Sequence, residues 1–454
     1  MIKIQPKPNR YKKGFATRLR TLYKRFIDTC SNLTVHGPRL LVRRDIPLIY
    51  RLIYFIIYIH VWLAVVYSIR RYYHHYREHT LRFTTRTDYL EWSTTLPSTT
   101  VCESPDIDDI RHKARHWYPE EEDDVVDRYM LEVAFFDGSC FSCISDGLPQ
   151  AGPKDFQDIA EAFRSECETL FNTCYLNEKK LQCCEVFRPI NTEYGICFSS
   201  NNKHVAPRLH STSRAVLDDA LVISFSRDVE VFLHSPEDIP FYNMEYDRRV
   251  TVTIGSSATL VFSITEIVNE PEVINTAPEV RKCRFPSENL PEHKAYSLYS
   301  YSVCITQCRI AAQLDICGCV HHLSPPEYKD QFCDIEGLKC LTINHDKFRK
   351  LRVPGLNETG LDCECLPSCT EPDFNIISKE LSEPQRDVLE SRLKLVLNNK
   401  PYERVTRQVS RTPLDLVVAM GNCIGLFFGG SFLSVIEIFY YLCFKKWSYT
   451  NSFS

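Results

Sequence analysis

The sequence predicts an α+β membrane protein in which two transmembrane helices flank a large disulfide-rich extracellular domain. Two apolar stretches, 52–69 and 416–444, lie near the ends of the 454-residue chain, and the residues between them are mostly polar. Each stretch is about as long as a bilayer-spanning helix, which needs roughly 17–25 residues. Of the 21 cysteines, 18 lie between Cys102 and Cys369, which is typical of a disulfide framework in an oxidising compartment.

These features divide the chain into five segments. They are a cytoplasmic N-terminal segment (1–46), a first transmembrane helix (47–69), an extracellular cysteine-rich domain (70–412), a second transmembrane helix (413–444) and a cytoplasmic tail (445–454).

The orientation follows from charge and from the cysteines. Residues 1–46 carry twelve lysines and arginines against two aspartates, so the positive-inside rule places them in the cytoplasm, ahead of an uncleaved anchor. Arginines that follow the first span weaken this rule, and the cysteines decide the matter, because disulfides form outside the cytosol. We predict a plasma-membrane protein with two spans and both termini cytoplasmic.

The extracellular domain is expected to mix strands and helices. Residues 214–266 alternate apolar and polar positions, which predicts antiparallel strands. Apolar spacing predicts helices at two places, Phe163–Cys174 and Tyr296–Leu314. Further strands are predicted at Leu96–Cys102, Leu393–Leu397 and Tyr402–Val409.

The second apolar stretch carries an unusual run of small residues. Gly421, Gly425 and Gly429 recur at every fourth position, which is typical of a seam where two membrane helices pack closely. Gly429, Gly430 and Ser431 then follow one another, and such a run also favours non-helical backbone, which at membrane depth must be buried in protein or line a water-filled path. The carboxylate of Glu437, two turns further on, favours this second interpretation, a pore wall.

Other candidate sites are weak. Cys140 and Cys143 have metal-knuckle spacing, but no histidine pair follows, so we expect disulfides there and no metal. Asn357 heads an extracellular glycosylation sequon, and the acidic run at 120–124 is a solvated face or a cation-sensing surface. The chain has no catalytic constellation, and its net charge of −4 gives no indication of nucleic acid binding. We therefore expect no enzyme activity.

Several short motifs together resemble the degenerin/epithelial sodium channel family, with insect pickpocket-type subunits nearest. The motifs occur in order between and around the two spans: His36-Gly37, Leu96–Cys102, Thr192-Glu193-Tyr194-Gly195, His234–Pro240, Cys317-Gly318-Cys319, Cys363–Cys369 and Gly425–Glu437.

The resemblance implies a function and a set of site residues. It implies an amiloride-sensitive, voltage-independent sodium channel, assembled with related subunits as a homo- or heterotrimer in membrane lipid, with Na⁺ as the permeant ion and no cofactor. The ectodomain would form a β palm with a helical thumb. The implied residues are the selectivity filter Gly429, Gly430 and Ser431, the pore-lining Gly425, Glu437 and Val418, and the gating pair His36 and Gly37.

The resemblance also implies disulfide pairs. It implies that Cys174 pairs with Cys183 or Cys184, which leaves Cys140, Cys143, Cys167 and the other member of the adjacent pair for two further bridges. The remaining implied bridges are Cys102–Cys197, Cys283–Cys369, Cys304–Cys365, Cys308–Cys363, Cys317–Cys340 and Cys319–Cys333.

Two departures from the family pattern are visible. Val418 occupies a position that usually carries a smaller residue, and where bulk favours the open state, so we expect some basal current. No tryptophan stands at the thumb base around Cys283, where the family makes an aromatic contact with the first span.

Other functions share this topology. A non-conducting receptor or auxiliary subunit with a ligand-binding ectodomain would use both spans only as anchors. An ATP-gated trimeric channel would need a basic nucleotide site, and the ectodomain sequence carries no such cluster.

Overall fold

The computed structural model describes residues 23–24, 27, 30–31, 37–43, 45–78, 81–117, 124–144, 153–206, 209–216, 219–352, 360–385 and 388–443. The chain forms two compact units. The terminal unit comprises Met1–Arg82 with Val409–Ser454, and the central unit comprises Phe83–Gln408.

The terminal unit begins with a short helix and one long apolar helix. Helix α1 is Pro38–Val42 and helix α2 is Leu48–Glu78, which has 31 residues. Within the described residues, α2 is the one helix that is long and apolar enough to cross a membrane. It continues past the predicted end of the span at residue 69, because its arginines, tyrosines and histidines are compatible with a helix and no glycine or proline interrupts them.

The second apolar stretch forms two helices, α12 (Pro413–Phe428) and α13 (Phe432–Cys443). Helix α12 starts with a reciprocal cap, in which Thr412 accepts from the backbone N–H of Asp415 while the Asp415 carboxylate accepts from Thr412. It ends at Gly429, whose φ of 62° is left-handed. The predicted break in this stretch therefore occurs at the run of small residues.

A large mixed sheet dominates the central unit. Its strands are β1 (Leu81–Arg86), β4 (Phe171–Leu176), β5 (Lys179–Leu181), β9 (Ala220–Phe225), β12 (Ser257–Asn269), β13 (Asp373–Leu381), β14 (Ser391–Leu397) and β15 (Arg404–Val409). The order is β1-β15-β12-β14-β9-β4-β5, and β13 also pairs with β12. Strand β12 runs parallel to both β14 and β15, so the intervening helical residues form a crossover connection.

The remaining strands are antiparallel. They are β2 (Ser93–Thr95), β3 (Ser98–Glu103), β6 (Arg188–Thr192), β7 (Gly195–Ser200), β8 (Ser211–Ser213), β10 (Val229–His234) and β11 (Arg249–Val252). A five-stranded sheet has the order β11-β10-β3-β7-β6, and β2 pairs with β8. Both sheets contribute to one apolar core, with Val101 and Val231 from this sheet and Ile223 and Leu395 from the large one.

Helices build a second core in the central unit. The longer helices are α3 (Ile107–Trp117), α4 (Asp124–Ala134), α5 (Pro153–Phe163), α9 (Tyr301–Cys317), α10 (Ile335–Ile343) and α11 (His345–Arg349). The shorter ones are α6 (Cys167–Leu170), α7 (Cys183–Val186) and α8 (Pro278–Arg281). Apolar side chains of α3, α4, α5 and α10 pack together, among them Ile110, Tyr129, Phe156 and Leu338.

The structure changes two of the predicted helices. The helix predicted at Phe163–Cys174 was wrong in its second half, because α5 ends at Phe163 and residues 171–176 form strand β4. Pairing of Cys174 with Ile223 in β9 overrides the local apolar spacing. The helix predicted at Tyr296–Leu314 is α9, shifted to Tyr301–Cys317 by the Ser300 cap and by Gly318, whose φ is 72°.

Disulfides link these elements at nine places. The six fully specified pairs that the resemblance implied are all present, and Cys174 pairs with Cys183. The cysteines left over form Cys140–Cys143 and Cys167–Cys184. Three bridges join residues 283, 304 and 308 to the segment 363–369, and so fasten the start of α9 to the chain that leads into β13.

A buried ion pair joins α9 to the turn between β6 and β7. The guanidinium of Arg309 pairs with Glu193, and both side chains are 3% exposed. Arg309 also donates to the carbonyl of Phe348, and the backbone N–H of Tyr242 donates to Glu193. Because neither charge has access to water, each depends on the other.

We predict that Arg309→Met lowers the free energy of unfolding by about 3–5 kcal/mol, because the Glu193 carboxylate is then buried without a counterion. The double variant Arg309→Met/Glu193→Gln should be more stable than Arg309→Met alone. Chemical denaturation of the purified chain without reductant measures both values.

Lys339→Met is the matched control, because Lys339 pairs with Glu336 at the surface, and such a pair contributes about 0–1 kcal/mol. An Arg309→Met chain no less stable than Lys339→Met would contradict the prediction.

Candidate functional site

The break between α12 and α13 is the centre of the candidate site. The N–H of Gly429 donates to the carbonyl of Gly425 at 2.8 Å, which closes α12. Ser431 then caps α13, since its hydroxyl oxygen accepts from the N–H of Ser434 at 3.3 Å and its own N–H donates to the Ser434 hydroxyl at 3.2 Å. The three predicted filter residues thus form a short non-helical connection between two helices.

Aromatic side chains join α2 to this break. The ring of Phe428, the last residue of α12, is only 4% exposed. It lies 4.7 Å from the ring of Trp62 and 6.0 Å from that of Tyr58, measured between centroids. Tyr58 and Trp62 are four residues apart on α2 and so share one face. Sequence analysis missed all three residues, although this spacing and the position of Phe428 next to the triplet were visible.

Gly37 packs against the same aromatic cluster. Its φ is 116°, a conformation that L side chains rarely adopt. A Cβ atom added there would lie 2.4 Å from Cε2 of Tyr58. The segment before α1 therefore contacts the ring that contacts Phe428, and only glycine permits the approach. His36, its predicted partner, lies outside the described residues.

The other predicted pore residues are not gathered at the break. Val418 lies on α12 and is 52% exposed, while Glu437 is half-buried on α13. A Cβ added at Gly425 would meet the carbonyl oxygen of Gly430 at 3.6 Å, whereas one at Gly421 would meet no atom of the described residues within 4 Å. Among the residues that the structure describes, the small-residue seam therefore contacts no second helix at Gly421.

A buried arginine stands near the Cys283–Cys369 bridge, where no tryptophan is present. Arg407 on β15 donates to the Cys283 sulfur at 2.8 Å, to the Asn269 side chain at 3.0 Å and to the carbonyl of Cys369 at 3.3 Å. Its guanidinium lies 5.2 Å from the centre of the Phe83 ring in β1. The Cys283–Cys369 bridge is thereby tied to both β1 and β15 inside the central unit.

A carboxyl cluster forms a second candidate site in the central unit. Asp238 is buried and accepts a hydrogen bond from the Ser302 hydroxyl at 2.8 Å. Burial raises the pKa of Asp238, and it also raises the pKa of Glu371, with repulsion from Asp238 adding to the latter. The nearest cation to Glu371 is Arg248, at 3.8 Å. Asp238 lies in a motif that the sequence singled out, whereas nothing in the sequence pointed to Glu371.

Two predicted sites cannot be placed. Asn357 lies outside the described residues, as does the acidic run at 120–124 except for Asp124 at the start of α4. No group of three or more possible metal ligands occurs in the part of the chain that the structure describes.

Comparison with known proteins identifies the family. The sequence pattern of a family described as "Amiloride-sensitive sodium channel" matches residues 29–441. The chain is 22% identical to sodium channel protein Nach of Drosophila ananassae, over 93% of this chain and 87% of the relative. It is 24% identical to pickpocket protein 11 of Drosophila melanogaster, over 60% of this chain and 53% of the relative.

A vertebrate relative is similar over a shorter part of the chain. The human bile acid-sensitive ion channel is 23% identical, over 59% of this chain and 58% of that protein. The family resemblance predicted from the motifs is confirmed, together with the disulfide-rich, β-rich domain and the N-terminal apolar helix. The second span and the palm and thumb assignments stay predictions.

We predict that Glu371→Gln makes the chain more stable in alkali. The raised pKa means that the folded state holds a proton on Glu371 that the unfolded state releases above about pH 4.3. The stability that this Glu371 proton contributes is thus fully present below about pH 4.3 and is lost as the pH rises toward the raised pKa of Glu371. The Tm difference between Glu371→Gln and wild type should be small at about pH 5 and positive at about pH 8.5, by about 1–2 °C per kcal/mol for a unit of this size.

Glu380→Gln provides the control, because Glu380 is an exposed glutamate on β13. An equal Tm difference at both pH values for Glu371→Gln would show that the carboxyl does not titrate on unfolding in this range.

Proposed function

This chain belongs to the amiloride-sensitive sodium channel family, and from that premise we propose that it is a subunit of a trimeric channel that conducts Na⁺ through three copies of residues 413–443. Members of this family are ion channels and not enzymes. The proposed channel is blocked by amiloride and is not gated by voltage. The observation that carries the proposal is the helix break at Gly429, Gly430 and Ser431.

The break supports conduction because of what it does to the backbone. Backbone groups released from a helix at membrane depth need protein or water as partners. Where three copies meet around an axis, small residues at the break form a narrow ring whose carbonyl oxygens replace part of the hydration shell of an ion. The Ser431 cap fixes where α13 begins and hence how wide that ring is.

The lengths of the helices support two spans. Helix α12 has 16 residues and rises about 24 Å, which is less than the roughly 30 Å of a hydrocarbon core. Both α12 and α13 are therefore needed to cross, and the break falls inside the membrane. With α2 as the first span, residues 1–46 and 445–454 are cytoplasmic, and 70–412 form an extracellular palm and thumb. The subunits assemble as a homo- or heterotrimer in the lipid.

The contact of Gly37 with Tyr58 supports a gating role for the His36-Gly37 pair. A change in the segment before the first span would act on Tyr58 and, through its ring contact, on Phe428 beside the filter. Glu437, Gly425 and Val418 line the pore on either side of the break in this proposal.

We predict that the chain expressed alone gives an amiloride-blocked current that prefers Na⁺ over K⁺, and that Ser431→Ala removes the preference. Alanine cannot cap α13, a loss of about 1 kcal/mol at this helix end, so the ring loses its fixed width. Ser431→Thr keeps the capping hydroxyl and should retain selectivity. Whole-cell recording in Na⁺ and then in K⁺ solution measures the change in reversal potential.

If the chain reaches the cell surface but carries no current, either alone or with a co-expressed related subunit, this result would favour the alternative of a non-conducting receptor or auxiliary subunit. A selective current that is unaffected by Ser431→Ala would instead place the filter elsewhere.

We further predict that Gly37→Ala reduces the current per channel at the cell surface. The added methyl group meets the Tyr58 ring, and the left-handed backbone costs an alanine about 1–2 kcal/mol more. Gly37→Ala/Tyr58→Ala should recover part of the current, because it relieves the contact while the backbone strain remains. A double variant no better than Gly37→Ala would show that the Tyr58 contact is not what requires glycine.

A further inference from the structure

A cavity of about 410 Å³ lies within the central unit, away from the two candidate sites. It opens between the end of α4, the turn between β6 and β7, and Arg349 at the end of α11. Cavities of about 300–1,000 Å³ that combine aromatic walls with a few fixed polar groups are typical small-molecule sites. Neither the filter nor the disulfide framework accounts for it.

Arg164 is held at this cavity by a built set of contacts. Its guanidinium donates to the carbonyls of Ala134, Tyr194 and Ile196, which belong to two separate elements, and it lies 5.0 Å from the centre of the Phe135 ring. Gly195 makes room for it, since a Cβ there would lie 2.5 Å from Nη1 of Arg164. Burial lowers the pKa of Arg164 to about 10, although its charge is retained at neutral pH.

The hydrogen-bond and ion-pair partners of the charged lining residues decide whether the cavity suits an anion or a cation. Four carboxylates and three arginines line the cavity, but two of the carboxylates already have protein donors. Glu103 accepts from Ser165 twice, and Glu132 accepts from the N–H of Ser142. Asp137 and Glu230 lie 3.7 Å from Arg349 and Arg249 respectively.

Arg164 differs from these groups. Glu103 acts on the charge of Arg164 at longer range, but no carboxylate of the described residues lies within ion-pair distance of its guanidinium. The three carbonyls use three of its five N–H donors. A partly buried cation with donors left over is stabilised by an anion that accepts two hydrogen bonds, as a carboxylate does.

Aromatic side chains form the walls of the cavity and its edge. Tyr194 and Tyr242 line it with their rings 5.0 Å apart and nearly perpendicular. Phe141 also lines it and is 64% exposed. The Cys140–Cys143 bridge closes the tight turn that presents Phe141, so the ring is held in place at little entropic cost on binding.

We infer that this cavity binds a small aromatic carboxylate, whose carboxylate contacts Arg164 while its ring packs against Tyr194 and Tyr242 beneath Phe141. The site is an extracellular ligand site if the ectodomain has the proposed orientation. Binding itself does not depend on conduction, so its test is independent of the proposed channel function.

The test uses the purified full chain in detergent with three fluorescent probes of the same shape. They are 2-naphthoate, neutral 2-naphthamide and cationic 2-naphthylmethylammonium, with binding followed by fluorescence anisotropy. Saturable binding of 2-naphthoate, at least about tenfold tighter than that of either other probe, is expected from a charge-assisted contact. An ammonium probe that binds as tightly as 2-naphthoate, or a 2-naphthoate signal that does not saturate, would overturn the inference.

Two variants at one position isolate the charge. Arg164→Lys and Arg164→Gln both remove the guanidinium bonds to the three carbonyls, so a folding cost is shared, but only Arg164→Lys keeps the cation. Arg164→Gln should bind 2-naphthoate about tenfold or more weakly than Arg164→Lys. If Arg164→Gln folds and binds 2-naphthoate as tightly as Arg164→Lys does, that result would contradict the inference.

Phe141→Ala tests the aromatic wall of the cavity and leaves the contacts of Arg164 unchanged. Because Phe141 is exposed, its removal should leave folding intact and weaken 2-naphthoate binding several-fold. If the Arg164 variants do not fold, unchanged affinity in Phe141→Ala would overturn the proposed site. Arg352→Gln, at an exposed arginine outside the cavity, should bind as wild type does.

Discussion

The bridges that fasten α9 to residues 363–369 are the constraint on which the central unit depends. Cys283–Cys369, Cys304–Cys365 and Cys308–Cys363 close loops of 86, 61 and 55 residues, and cross-links of this length remove much of the entropy of the unfolded chain. They hold helix α9, which is buried on most of its faces. Its buried side chains include the polar Gln313 and Arg309. Because a helix in that position can meet little water, its polar groups need protein partners, and Glu193 is the charged partner of Arg309.

Arg407 shows how this framework reaches strands β1 and β15. A tryptophan has a single N–H donor and would join two surfaces mainly by apolar contact, whereas the Arg407 guanidinium makes directed bonds to Asn269, Cys283 and Cys369 and also covers Phe83. Directed bonds hold one geometry and break when it shifts, while an apolar contact tolerates sliding. A displacement of the Cys283–Cys369 bridge would therefore break these bonds or move β15 with it.

Sequence analysis predicted the parts of this structure that local chemistry decides. Strand alternation and the run Gly429-Gly430-Ser431 act over a few residues and predicted strands and the helix break, while the crowded cysteines predicted a disulfide framework. The pairing of six of the bridges came from the family resemblance and not from spacing. The parts that sequence analysis missed depend on distant neighbours. Strand β4 forms where a helix was predicted because β9 pairs with it. Glu371 and Arg164 have ordinary sequence surroundings. Only folding places the Asp238 carboxyl near Glu371 and three backbone carbonyls around Arg164.

The helix break places a requirement on assembly. The apolar side chains around it are exposed in the single chain, with Leu426 at 83% and Leu433 at 73%, and lipid can cover such side chains. Lipid cannot supply partners for the backbone groups that Gly429 and Gly430 release from α12. Within the described residues Phe428 covers one side of the break through Tyr58 and Trp62, while Gly429 itself remains exposed. In the proposed channel, the uncovered side would meet water or the same surface of another subunit, and a ring of subunits around an aqueous path would supply both.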